Sequence, residues 1–220
     1  MADALAFADM NASVIAAHTR VLLGLVLWLA LALVLGASGV LTIERRPLVP
    51  LAIASSTIAL VLLGRRRGAL ATVAQSIDVR VLILFHAIRA PIGAGFLALG
   101  ADGRLDPLFA EVAGWGDIAV GITAVIAAMG GARPSATWMR VRLVWNAFGL
   151  ADILVVLVIA QSILLGSDHP QTMAGLLVMP WPVIPLWVVP LVLATHALSF
   201  ARLRAGRPAS TASGRLAAPT

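Results

Sequence analysis

Apolar residues run along this chain in long blocks, and short polar stretches rich in arginine separate the blocks. Most blocks reach or approach the length of about 20 residues that an α-helix needs to cross the hydrocarbon core of a bilayer. The pattern therefore predicts an all-α fold, a polytopic transmembrane helical bundle with six spans. The predicted spans cover residues 21–43, 48–64, 79–99, 107–129, 141–165 and 181–200.

Local signals refine two of these spans. Asp106 and Pro107 form a good N-cap and first-turn pair, so we start the fourth span at Pro107 rather than at Trp115. A short helix on the surface, over residues 69–77, is expected to lead into the third span.

The sixth span carries a group of prolines in or just before its first half. Each proline removes a backbone donor, which predicts a kinked or unwound segment; a proline-stiffened helix is the alternative. The prolines are Pro180, Pro182, Pro185 and Pro190. We treat residues 1–204 as a single transmembrane domain. Residues 205–220, rich in Ala, Ser, Thr and Pro, are predicted to form a disordered cytoplasmic tail.

The composition agrees with a membrane protein. Of the 220 residues, 60% are hydrophobic and 12% are charged, and the mean hydropathy is +0.99. Soluble domains are nearer half apolar and a quarter charged. Lipid must therefore surround most of the chain.

The formal charge of +6 comes from 16 arginines and no lysine. The arginines lie between the apolar blocks, which is typical of a topology signal rather than of nucleic-acid binding. With the N-terminus inside, twelve arginines fall on the cytoplasmic side, and only Arg45, Arg46 and Arg104 fall on the other side. We therefore predict a multi-pass protein of a bacterial inner (cytoplasmic) membrane, with both termini in the cytoplasm.

Some chemistries are excluded by missing residue types. Without lysine or cysteine the chain can form no Schiff base, disulfide, thiol redox pair or cysteine-ligated cluster. Glycine-rich phosphate loops and HExxH spacing are also absent from the sequence. No soluble-enzyme motif names a reaction.

Three ionisable residues fall near the predicted bilayer centre. Arg89, Asp117 and Asp152 are the eleventh, eleventh and twelfth residues of the third, fourth and fifth predicted spans, so they share one depth to within about one helical turn. Each unpaired charge would cost roughly 2.5–3.5 kcal/mol. We therefore expect Arg89 to face both aspartates inside the bundle.

This arrangement would hold one positive and two negative charges. The excess carboxylate must be protonated, bind a cation or meet another positive group. We therefore rank first a binding or transport protein for a small solute or ion, with Arg89, Asp117 and Asp152 as its site. A homodimer would complete so small a protomer. The alternative is a structural or accessory subunit whose buried charges only specify packing.

A second polar group is predicted nearer the cytoplasm, from His86, Asn146 and His196. Two facing histidines could hold haem or a metal in a membrane-embedded enzyme or redox subunit that acts on a quinone or an isoprenoid. We prefer the interpretation in which each histidine bonds a neighbouring backbone carbonyl, because the spacing matches no metal-ligand motif. We assign no metal site, and leave any cofactor unknown.

Overall fold

The computed structural model describes residues 2–45, 47–131 and 135–205. Within these ranges the fold is all-helical, and six helices are long and apolar enough to cross a membrane. The prediction of a multi-pass helical bundle is confirmed. Arg46, Arg133 and residues 206–220 of the predicted tail lie outside the described residues.

Eight α-helices make up most of the described chain. They are α1 (Ala2–Ala37), α2 (Leu48–Arg65), α3 (Ala69–Ser76), α4 (Val79–Phe85), α5 (Arg89–Ala101), α6 (Pro107–Ala128), α7 (Ala136–Gly166) and α8 (Val189–Ala205). A 3-10 turn, His86–Ile88, joins α4 to α5, so these two helices form one span. Two further 3-10 segments lie at Ile43–Arg45 and Pro170–Leu177.

The start of α6 is the one that the sequence predicts. The carboxylate of Asp106 accepts hydrogen bonds from the backbone N–H groups of Leu108 and Phe109, at 3.0 and 3.3 Å. Pro107 follows in the first turn, where its missing N–H costs nothing. Asp117 therefore lies in the middle of α6.

The first span differs from its predicted bounds of 21–43. Its membrane-crossing part is Ala12–Ala37, and the helix ends there because Gly39 adopts a left-handed conformation with φ 71°. The hydroxyl of Ser38 also donates to the carbonyl of Leu35, at 2.8 Å. The predicted span wrongly included the apolar residues that follow Gly39, because they continue the apolar block beyond the end of the helix.

The fifth span also starts earlier than its predicted first residue, 141. The hydroxyl of Ser135 caps α7 by accepting from the N–H of Trp138, at 3.4 Å. Arg140, which the sequence places before the span, and Arg142, the second residue of the predicted span, therefore both lie within α7.

The sixth span begins at Ile184 rather than at residue 181. Turns occupy residues 179–182, and a π-helical segment, Ile184–Val188, precedes α8. The proline-rich segment is thus irregular, as the loss of backbone donors predicts.

Helices α5, α6 and α7 form the centre of the bundle. α6 packs against both α5 and α7, whereas α8 packs against α7 and α2. α1 contacts mainly α3 and is largely exposed on the outside of the bundle. The helix that carries Asp117, α6, therefore neighbours both helices that carry the other two predicted charged residues.

Candidate functional site

Arg89 is the first residue of α5, directly after the 3-10 turn that interrupts the third span. Pro91 explains this turn, because a proline has no N–H to donate and its ring crowds the carbonyl four residues earlier. The tightened turn directs Arg89 into the bundle, where only 1% of the residue is exposed.

The structure brings Arg89, Asp117 and Asp152 together across α5, α6 and α7. Nε of Arg89 donates to Oδ1 of Asp117 at 2.6 Å, and Nη2 forms an ion pair with Oδ2 of Asp152. Nη1 donates to the backbone carbonyl of Gly149 at 3.2 Å. The forked guanidinium thus donates to two carboxylates and one carbonyl from three separate nitrogen atoms, a fixed geometry that the single ammonium of a lysine does not provide.

The charges of this cluster do not balance if both aspartates are ionised. One guanidinium faces two carboxylates, and within the described part of the chain neither aspartate forms an ion pair with a second cationic side chain. A proton or a cationic group would restore neutrality. Burial makes this imbalance costly, because the side chains of Asp117 and Asp152 are only 7% and 12% exposed.

Glycines allow the helices to approach closely around these charges. A Cβ atom on Gly93 of α5 would meet the carbonyl of Gly114 and Cβ of Asp117 in α6. A Cβ atom on Gly116 would collide with the carboxylate of Asp152. Small residues at such crossings let polar side chains bond between helices.

An apolar cavity reaches the cluster at Asp117. Residues of α2, α5, α6, α7 and the segment Pro170–Leu177 line it. Its volume is about 90 Å³, several times the ~10–15 Å³ that one water molecule needs. Phe96, Phe109, Val156 and Met173 are typical of its walls. Among the described residues, Asp117 has the only ionisable side chain on those walls.

The second predicted group, His86, Asn146 and His196, also comes together. The two imidazole rings face each other with centroids 4.0 Å apart and planes tilted by 40°. Nδ1 of His196 lies 3.0 Å from Oδ1 of Asn146, and Nδ2 of Asn146 donates to the backbone carbonyl of His196. All three residues are buried.

Hydrogen bonding assigns the tautomers of both rings. The hydroxyl of Thr195 donates to the carbonyl of Leu191 at 2.7 Å, so it accepts from Nε2 of His86 at 3.1 Å. Asn146 likewise presents an acceptor to Nδ1 of His196. The other ring nitrogens, Nδ1 of His86 and Nε2 of His196, are buried and have no partner among the described residues.

Haem does not fit between these histidines. Imidazole nitrogens bound at about 2 Å on opposite faces of a metal are about 4 Å apart, and the ring centres lie farther apart still. Rings already 4.0 Å apart leave no space for a porphyrin plane. Among the described residues, no group of three or more His, Cys, Asp or Glu side chains is placed to hold a metal ion.

Three residues near these groups were missed by the sequence prediction. Arg142 is fully buried, Trp145 packs edge-on against His86 at 5.3 Å, and Thr195 orients His86. The signal was available for the first two. Arg142, Trp145, Asn146 and Gly149 recur at the three- and four-residue spacing of one helix face, and all of them are buried.

One family profile, described as a domain of unknown function (DUF8737), matches residues 46–204. The chain belongs to this family. The match includes every residue of the two polar groups and leaves out α1. No curated protein and no solved structure matches the chain.

Proposed function

We propose that this protein binds, and carries within the membrane, a small and largely apolar solute whose polar end is cationic or donates a hydrogen bond. The observation that carries the proposal is the apolar cavity that has Asp117 on its wall. Asp117 shares Arg89 with Asp152, so the cluster has one negative charge more than Arg89 can match. A ligand ammonium or a proton would balance that charge.

The cavity walls favour an organic solute over a bare metal ion. Hard cations such as Ca²⁺ need six to eight oxygen ligands. Here Asp117 is joined on the walls by only two other polar side chains, Thr42 and Gln161, within the described part of the chain. Apolar walls instead stabilise a hydrocarbon body, while a buried carboxylate fixes its polar end.

We further propose that the bundle lies in the cytoplasmic membrane with both termini inside. The asymmetric distribution of arginines between the loops supports this orientation. It puts the apolar cavity in the outer half of the membrane and the two histidines in the inner half.

The test is photolabelling of the protein in phosphatidylcholine nanodiscs with a diazirine-bearing alkylamine, read by peptide mass spectrometry. We expect labels on cavity residues such as Phe109 and Met173. Asp117→Asn should reduce this labelling at least about tenfold, because a charge-assisted hydrogen bond is lost. Glu111→Gln is the matched control, since Glu111 is an exposed acid of the same helix and should leave labelling unchanged. An unlabelled cavity, or normal labelling of Asp117→Asn, would contradict the proposal.

A structural role is the second candidate. It is favoured by the match between Arg89 and its partners, since the guanidinium already donates to both aspartates and to the carbonyl of Gly149. On this view the cluster only fixes how α5, α6 and α7 pack. A native cavity that the alkylamine leaves unlabelled would favour it.

A further inference from the structure

A second apolar cavity lies between α2 and α7, next to the one that reaches Asp117. The two cavities share three wall residues: Ile53, Leu157 and Gln161. Ala54 and Ile58 of α2 line the second cavity and are exposed on the outside of the bundle. The second cavity is therefore bordered by the outer surface of the bundle and adjoins the cavity that has Asp117 on its wall.

Two residues on the walls of the second cavity, Thr57 and Gln161, carry an oxygen atom without a hydrogen-bond partner in the described part of the chain. Oγ1 of Thr57 and Oε1 of Gln161 are buried and have no hydrogen-bond partner among the described residues. Thr57 is unusual in this respect, because the hydroxyls of Thr72 and Thr123 donate to carbonyls one turn earlier along the chain. Buried polar atoms without a partner are rare and call for an explanation.

A ligand that donates a hydrogen bond would supply this partner. Oε1 of Gln161 can only accept, so it needs a hydroxyl or an ammonium rather than a carbonyl. The rest of the walls, including Pro50 and Leu193, is apolar and suits a hydrocarbon chain. These two requirements together describe an amphiphile dissolved in the membrane.

We propose that the ligand is a lipid with an apolar chain and a hydroxyl or amino head, and that it reaches Asp117 sideways from the bilayer, between α2 and α7. Gln161 and Thr57 receive the head on the way. This inference rests on the proposed function and adds to it the source of the ligand and the route that it takes.

The test uses a diazirine-bearing long-chain aliphatic alcohol in vesicles that contain the protein, with the corresponding alkane probe for comparison. In the native protein we expect labels on both cavities. Ala54→Trp fills the opening and should abolish labelling at Phe109 and Met173. Ala59→Trp is the matched control, because Ala59 is an exposed residue of α2 outside the cavity lining; it should be labelled like the native protein.

A second pair of variants tests the head group. Gln161→Leu should reduce the preference for the alcohol over the alkane about fivefold, the value of one hydrogen bond. Gln75→Leu, at an exposed position of α3, should leave the preference unchanged. An equal preference in Gln161→Leu and native protein would overturn the role of Gln161.

The outcomes separate the two proposals. If Ala54→Trp is labelled at Phe109 as fast as the native protein, the sideways route is wrong while the site at Asp117 stands. If Ala59→Trp also loses labelling, the assignment of the route to the cavity between α2 and α7 is overturned as well. If the native cavity takes up neither the alcohol nor the amine, the proposed function itself fails.

Discussion

Arg89 and Arg142 are both buried arginines of the same bundle, yet their side chains have different kinds of hydrogen-bond partner. Arg89 meets two carboxylates and one carbonyl. Among the described residues, the hydrogen-bond acceptors of Arg142 are the backbone carbonyls of Ala127, Met129 and Gly131, at 3.3, 3.0 and 3.3 Å. These carbonyls lie at the C-terminal end of α6, where the helix dipole places partial negative charge.

The difference shows which part of the bundle depends on each charge. Removing Arg89 would leave two carboxylates buried without a partner, whereas removing Arg142 would leave neutral carbonyls that other groups can partly satisfy. The first cluster has a carboxylate on a cavity wall, where a ligand of the proposed kind would meet it. Arg142 instead donates hydrogen bonds to carbonyls at and just beyond the C-terminal end of α6.

Arg89→Leu should have the largest effect on stability. It isolates Asp117 and Asp152, and breaking a buried ion pair in this way costs about 3–5 kcal/mol. Thermal unfolding in detergent should show a much lower midpoint than the native protein. The triple variant Arg89→Leu, Asp117→Leu, Asp152→Leu should recover most of the loss, because no charge is left unpaired. An unchanged midpoint in Arg89→Leu would refute the ion-pair assignment.

Arg142→Leu should cost less, about 2 kcal/mol, because its lost partners are uncharged carbonyls at a helix end. Arg142→Lys keeps the cation near the C-terminal end of α6 and should recover part of the stability. The same thermal measurement applies, with Arg140→Leu as a control for an exposed arginine of the same helix. If Arg142→Leu lowers the midpoint as much as Arg89→Leu does, the contrast between the two arginines disappears.

The partners of these arginines also explain how far the sequence could predict them. Three ions at one depth in oil must pair, so the sequence alone is enough to group Arg89, Asp117 and Asp152. Backbone carbonyls occur at every residue and leave no mark in the sequence. The acceptors of Arg142 could therefore not be inferred, although the predicted span already included this residue; the start of α7, at Ala136, lies before the predicted start at 141.

The cavities could not be predicted from the sequence, for a different reason. Their shape depends on how α2 stands against α7, and nearly every residue of a membrane-spanning helix is apolar enough to face either lipid or protein. Only Thr57 and Gln161 interrupt this uniformity along the second cavity.

The glycines beside the charges are typical of close packing between membrane helices. Gly93, Gly114 and Gly116 lie at helix contacts.

Gly149→Ala should disturb both polar groups at once. The carbonyl of Gly149 accepts from Arg89, and an added Cβ atom would lie 2.6 Å from Cε1 of His196. Overpacking of this kind costs about 1–3 kcal/mol, and we expect a value near the lower end, about 1 kcal/mol, because an imidazole can tilt. Gly24→Ala is the control, since nothing lies within 4 Å of its added Cβ atom. Equal midpoints for the two variants would contradict this close contact.

The smallest effect on stability is expected at the pair of Arg80 and Asp78. On the outside of the bundle, Arg80 has both kinds of partner, a carboxylate and a backbone carbonyl. Nη2 of Arg80 pairs with Asp78 at 2.9 Å, and Nη1 donates to the carbonyl of Gly130 at 3.2 Å. Asp78 also caps α4 by accepting from the N–H of Arg80. The hydrogen bond from the Arg80 side chain lowers the pKa of Asp78 below its ordinary value of 3.8.

Because the folded state lowers this pKa, the pair stabilises the protein above about pH 4 and loses its effect as the pH falls through the folded value. Asp78→Asn keeps an N-cap residue but removes the charge. It should cost less than about 1 kcal/mol at neutral pH, as exposed ion pairs do, and the gap to the native midpoint should close below pH 4. A gap that stays constant between pH 7 and pH 3 would contradict the contribution of the ion pair.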